Sequence, residues 1–175
     1  MNLHEPIAAV DAPLFRRVMS RFATGVTVIT VEAEGRVRGM TANAFMSGSL
    51  SPPLCLISVA LKAHMHAYLL GAERFGVNIL AEGQEALGTH FAGRSVDQVN
   101  VEFERVGCVP LLKQASAVIA AEIEARHDCG DHTVFVGRIF FMRDDGRAPL
   151  VYHGGRYGAF VSSAQEASEP TIEFW

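Results

Sequence analysis

The chain is poor in cysteine, has no strong excess of either charge, and has no long apolar run. Each shortage closes off a class of protein. Cys55, Cys108 and Cys129 are the only cysteines in 175 residues. An odd count with no CxxC spacing gives no disulfide framework and points to a reducing, cytoplasmic setting. Fifteen Lys and Arg stand against nineteen Asp and Glu, a formal net charge of -4. That balance offers nucleic acid no basic stripe, and no acidic block forms a solvating tail. The longest apolar run, Leu54 to Leu61, is broken by Ser58 and closed by Lys62. A membrane-spanning helix needs about 20 apolar residues, so no span is expected. His4, Glu5 and Asp11 precede the first basic residues, Arg16 and Arg17, which is not the order of a secretory signal.

Motifs are missing too. No GxGxxG follows a strand, which argues against a Rossmann dinucleotide site, and there is no P-loop, HExxH or GxSxG. His127, Cys129 and His132 gather in one stretch, but their spacing is too tight for a typical zinc site and no fourth ligand is evident. No metal is expected.

What is present is a core. Apolar residues make up 49% of the chain, enough for one well-filled domain. Asp11 is placed to cap a helix, with Pro13 in its first turn, and Leu14, Phe15, Val18, Met19 and Phe22 recur at helical spacing. Thr24-Gly25 is expected to end that helix. Val26 to Val31 is rich in β-branched residues and predicts a strand, with a return strand from about Val37. Further strands are expected at Leu54 to Leu61, Phe75 to Leu80, Val118 to Ala125, Thr133 to Arg143 and Pro149 to His153. Short helices are expected at Ala63 to Leu70 and Gln84 to Phe91. His127 to Asp131 carries turn-type residues and predicts a hairpin loop. Arg94 to Glu104 is polar and ambiguous. Six or seven strands with short helices between them predict a mainly β fold, a β-barrel with helical insertions. The domain is read as residues 1–161. Residues 162–175 form a small, polar C-terminal tail closed by Phe174 and Trp175.

Several stretches, taken in order, carry more. They are FRRVMSRFATGVTVIT (Phe15 to Thr30), GMTANAFMSGSLSPPLCLISV (Gly39 to Val59), FGVNILAEGQEALGTHFAG (Phe75 to Gly93), GDHTVFVGRI (Gly130 to Ile139) and PLVYHGGRYGAF (Pro149 to Phe160). In this order the chain resembles the short-chain flavin reductases, the reductase components of two-component flavin-dependent monooxygenases, over roughly residues 12 to 160. The resemblance implies an FMN-binding split β-barrel, usually a homodimer.

It also implies a site. A flavin ring needs an apolar wall and convergent hydrogen bonds along its polar edge. Thr41, Ala42 and Asn43 supply small residues, a hydroxyl and an amide, and Ser58, Val59 and Ala60 supply a second backbone edge. Relatives carry serine and threonine after the strand matching Leu54 to Leu61. This chain has Lys62, His64 and His66 there instead, so these become the candidates for the flavin phosphate. Phe91, Ala92 and Arg94 match a stretch reaching the same phosphate. His132, oriented by Asp131, matches the family histidine at the nicotinamide, and Tyr157 matches an aromatic near the site. The implied activity is an NAD(P)H:flavin oxidoreductase. It would use NADH or NADPH to reduce FMN or FAD and pass reduced flavin to an oxygenase component. Because folds are reused, two alternatives stay open: a flavin-binding sensor or storage protein without turnover, and a haem-handling relative on the same barrel.

Overall fold

A computed structural model describes residues 10–96 and 98–161. Along the chain run α1 (Ala12–Met19), β1 (Thr24–Gly25), β2 (Thr27–Ala33), β3 (Arg36–Ala42), β4 (Phe45–Leu50), β5 (Pro53–Ala60), α2 (His64–Gly71), β6 (Arg74–Ile79), α3 (Glu85–Phe91), β7 (Phe103–Val106), β8 (Val109–Leu112), β9 (Ala117–Cys129), β10 (His132–Asp144), β11 (Leu150–His153) and β12 (Arg156–Ala159). Seven strands form an antiparallel sheet in the order β3-β2-β6-β9-β10-β5-β4. β3 runs on into β4 through Asn43 and Ala44, and Ser58 N donates to Ala44 O at 3.1 Å.

Side-chain alternation divides the sheet into an inside and an outside. On β5, Cys55, Ile57 and Val59 are buried; on β10, Phe135 has no exposure and Thr133 has 3%. The apolar ones join Ile29, Val31, Phe75, Val77 and Ile119 in one core, which α2 closes with Met65 and Leu69. Gly137 leaves room in it, since a Cβ there would lie 2.6 Å from the Phe75 ring. Ser58, Ala60, His132 and Val134 alternate to the opposite, outer face.

β2 is buried on both sides, because a second apolar layer covers its other face. That layer contains Val26, Val28, Leu80, Leu111, Val118 and Leu150, with Leu87, Phe91 and Tyr157 packed against it. Asn78 ties the layer to the sheet. Its Nδ2 donates to Val28 O at 2.8 Å, and its Oδ1 accepts from Leu112 N at 2.6 Å. The Thr30 hydroxyl donates to Pro110 O, which anchors the same β7–β8 hairpin.

The expected mainly β barrel with helical insertions is what the chain forms, and the structure corrects several local readings. Thr24 and Gly25 do more than end a helix, since they pair with Tyr152 and Val151 as β1. The long hairpin turns at Gly130 and Asp131 alone. His127, Asp128 and Cys129 belong to β9, and Gly130 takes the positive φ of 62° that the tight turn requires. β4, β7, β8 and β12 were not expected: β4 mixes small and polar residues with apolar ones, β7 and β8 are four residues each, and β12 follows a Gly154-Gly155 turn that reads as a terminus. Asp11 caps α1 as anticipated, its carboxylate accepting from Leu14 N at 2.7 Å. The tail at 162–175 lies outside the described residues.

Candidate functional site

Two adjoining depressions meet at Asn43. The first is a polar cleft of about 320 Å³. It is walled by Thr41, Ala42 and Asn43 at the end of β3, by Thr89, Ala92 and Arg94 at the end of α3, and by Tyr152, Gly155 and Tyr157 from the β11–β12 hairpin. α3 is seated against β3 by close contacts. A Cβ at Gly39 would lie 2.5 Å from the Phe91 ring, and a Cβ at Gly88 would lie 2.8 Å from the Tyr157 hydroxyl. The Thr41 hydroxyl donates to Gly88 O at 2.6 Å. Thr41 thus fastens the cleft wall, and its proton is already committed.

The second depression is an apolar groove of about 570 Å³ on the outer face of β4, β5 and β10. Leu56, Ser58 and Val134 form its floor, and Phe15, Met19 and Phe22 approach from α1 and the turn after it. These three residues are 57%, 55% and 74% exposed, so none of the other described residues covers this apolar face. The Thr24 hydroxyl belongs to the groove wall and is buried with no hydrogen-bond partner among the described residues.

Beyond the groove floor lies a charged corner. His132 pairs with Ala60 across β10 and β5, two residues from the Val134–Ser58 pair, or about 7 Å along the strands. His132 Nδ1 lies 2.6 Å from Asp131 Oδ1. With the ring proton on Nδ1 donated to the carboxylate, Nε2 is left without a protein partner among the described residues. The imidazole beside Asp131, through its hydrogen bond and its charge, holds that carboxyl below its usual range, with a smaller pull from Lys62. Both side chains stand in solvent, at 41% and 91% exposure, so the pairing orients the ring more than it stabilises the fold.

Of the residues singled out in the sequence, Thr41, Ala42, Asn43, Ala92, Arg94 and Tyr157 converge on the cleft. Ser58 lies in the groove floor and Asn43 in both depressions. Ala60 faces His132 in register. Lys62 and His64 are exposed at the start of α2. Three residues have other placements. The side chain of Val59 is 1% exposed in the core, so only its backbone is left for a ligand. Phe91 packs in the second layer, edge-on to Phe103, and seats α3. His66 turns to the sheet, with Nε2 2.9 Å from Thr133 Oγ1. Thr41 is engaged as described. Thr24, Thr89 and Tyr152 also line the two depressions, and in sequence they read as an ordinary helix end, helix residue and strand residue. Cys129 faces His132 across the hairpin and His127 faces Val134. Among the described residues, no three of His, Cys, Asp and Glu gather as metal ligands.

The two depressions together make an apolar groove that opens at the Asn43 amide into a polar cleft lined by Arg94. The chain belongs to the family described as flavin reductase like domain, whose model matches residues 19–160. It is similar to an NADH-dependent flavin reductase of a Rhodococcus species, 41% identical over 145 residues that cover 81% of this chain and 82% of that one. It is 40% identical to the reductase component of 4-hydroxyphenylacetate 3-monooxygenase from Thermus thermophilus, over 84% of this chain and 95% of that one. In structure it resembles the flavin reductase PheA2, with a TM-score of 0.84 and 42% identity over 87% of this chain and all of that one.

Proposed function

We propose that the protein is an NADH-dependent flavin reductase that supplies reduced flavin to a partner monooxygenase. The observation that carries this reading is the pair of depressions joined at Asn43, with the Asp131–His132 pair at the far side of the groove floor. The residues fit a flavin. Leu56, Val134 and the α1 side chains offer the apolar wall. Asn43 and Ser58 offer polar atoms along it, and the unpartnered Thr24 hydroxyl marks a place where a ligand or a second chain would complete a hydrogen bond. Arg94 at the cleft is the cation for the phosphate of FMN or FAD. Lys62 lies by Asp131, at the corner where a nicotinamide's own phosphates would pass.

A bound flavin would supply the chemistry, as acceptor of the hydride that a dihydronicotinamide gives up. This chain's work is to bring the two rings into contact and to keep them there. The fixed tautomer of His132 presents Nε2 to the nicotinamide carboxamide, whose amide N–H can donate to it. Asp131 holds that orientation. No proton has to be removed by the protein for the hydride to move, so His132 is a positioning group rather than an obligate base.

The names of relatives support NADH as the reductant and an oxygenase as the recipient. The exposed apolar face of α1 supports a homodimer. Phe15, Val18, Met19 and Phe22 form a contiguous stripe that a second copy would remove from water. The test is steady-state nicotinamide oxidation with NADH and NADPH against riboflavin, FMN and FAD. The reading expects flavin-dependent oxidation with NADH preferred. Protein that turns yellow with flavin but oxidises neither nicotinamide would instead be a flavin-binding protein without turnover.

A further inference from the structure

The tip of the β9–β10 hairpin carries His132, yet it has little to hold it. From Arg126 to His132 no residue is buried, and His127, Asp128, Cys129, Gly130 and Asp131 are all exposed. Cross-strand backbone bonds remain, with Leu61 N donating to Asp131 O at 3.0 Å. Hairpin ends of this kind fray. The one side chain near the tip that enters the core is Thr133, 3% exposed.

Thr133 meets His66 there. His66 Nε2 and Thr133 Oγ1 share a hydrogen bond of 2.9 Å. The imidazole also lies edge-on to Phe135, with centroids 6.0 Å apart and planes at 69°. His66 stands in the first turn of α2, a helix anchored in the core by Met65 and Leu69. A continuous path therefore runs from the core through α2 and His66 to Thr133, whose neighbour in the chain is His132. Strand alternation puts Thr133 inside and His132 outside, so the bond secures from behind the residue that faces the ligand.

We propose that His66 is a positioning residue for the reaction, pinning the hairpin tip through Thr133 so that the His132 ring keeps its place. This rests on the reading of His132 given above, and it moves His66 from candidate phosphate ligand to structural strut. Thr133→Val keeps the shape and removes the hydroxyl. His66→Phe keeps the aromatic contact and removes the nitrogen. His66→Gln retains an amide able to reach Thr133.

The experiment combines ligand-free hydrogen exchange, flavin titration and rapid-mixing reduction by NADH. In Thr133→Val and His66→Phe, amides of residues 127–133 should exchange about five- to tenfold faster without ligand, as expected for one lost buried hydrogen bond. The rate of flavin reduction should fall by about the same factor, with flavin affinity changed less than about twofold. His66→Gln should recover most of the rate. In a His132→Ala background, Thr133→Val should slow reduction no further, because nothing remains to be positioned. Equal additional slowing in that background, or unchanged exchange at 127–133, would overturn the proposal. If His132→Ala alone leaves the rate unchanged, it is the role of His132 that fails, and the two failures are distinct.

Discussion

Gly88→Ala separates the geometry of the cleft from the stability of the fold. Gly88 lies within α3, where alanine favours the helix by up to about 1 kcal/mol over glycine. A Cβ there would sit 2.8 Å from the Tyr157 hydroxyl and 3.2 Å from its Cζ. Ordinary contact requires several tenths of an ångström more, so Tyr157 must shift. Overpacking of this kind costs about 1–3 kcal/mol. Tyr157 lines the cleft beside Tyr152, edge-on to it at 5.6 Å between centroids, so a shift of its ring reshapes the cleft wall. If most of that cost falls on the bound state, flavin dissociation constants rise about tenfold, while the melting temperature changes by only a few degrees. Adding Tyr157→Phe removes the closer of the two atoms, leaving a contact that a shift of a few tenths of an ångström relieves, and should return most of the affinity. Fluorescence titration of FMN into the three proteins, with thermal melts alongside, reads both quantities. Unchanged affinity in Gly88→Ala, or no recovery in the double variant, would refute the assignment of this cleft to flavin.

Further outcomes follow from the same geometry. His132→Ala should slow flavin reduction more than it weakens flavin binding, while Asn43→Ala, at the junction of both depressions, should weaken flavin binding first; rapid mixing and titration distinguish the two. Arg94→Ala should raise the dissociation constant of FMN about three- to tenfold and leave riboflavin nearly unchanged, the modest size reflecting a cation exposed to solvent. Asn78→Ala should destabilise the protein by about 2 kcal/mol in urea unfolding, because it leaves the buried Leu112 N without its acceptor and removes a second donor from Val28 O. Burial pushes the Cys55 thiol up to about 11, so at pH 8 an alkylating reagent should modify exposed Cys108 and Cys129 and spare Cys55 until the protein unfolds. Asp131 titrates below its usual range, so its share of stability is present above about pH 4 and lost as pH falls through the lowered value. An NMR titration of His132→Ala should move that carboxyl back toward its ordinary value.

Much of this was legible in the residues. Alternation on β5 and β10 and the helical stripe of α1 are local patterns, and the motifs at Thr41 to Asn43 and Gly130 to His132 sit in strand ends where sequence order is informative. What escaped has physical causes. β7, β8 and β12 are four-residue strands whose pairing is decided by tertiary contacts such as Asn78 to Leu112, not by propensity. Thr24 became a groove residue only because β1 pairs with a strand more than 120 residues away in sequence, Thr24 against Tyr152. His66 looked like a phosphate ligand because the helical register of α2 against β10 is invisible until both elements are placed. The mild net charge hid the local distribution as well: Arg94 belongs to the cleft, while Lys62 lies beside Asp131 at the other end of the groove floor.

The central claim is that this chain brings a dihydronicotinamide and a flavin into contact and lets hydride pass between them. Anaerobic mixing of the purified protein with FMN or FAD and a stoichiometric amount of NADH tests it most directly. The account predicts protein-dependent loss of the yellow flavin absorbance in proportion to the NADH added, slowed when C4 of the nicotinamide carries deuterium in the transferred position. Flavin that binds yet stays oxidised with NADH and with NADPH would contradict it.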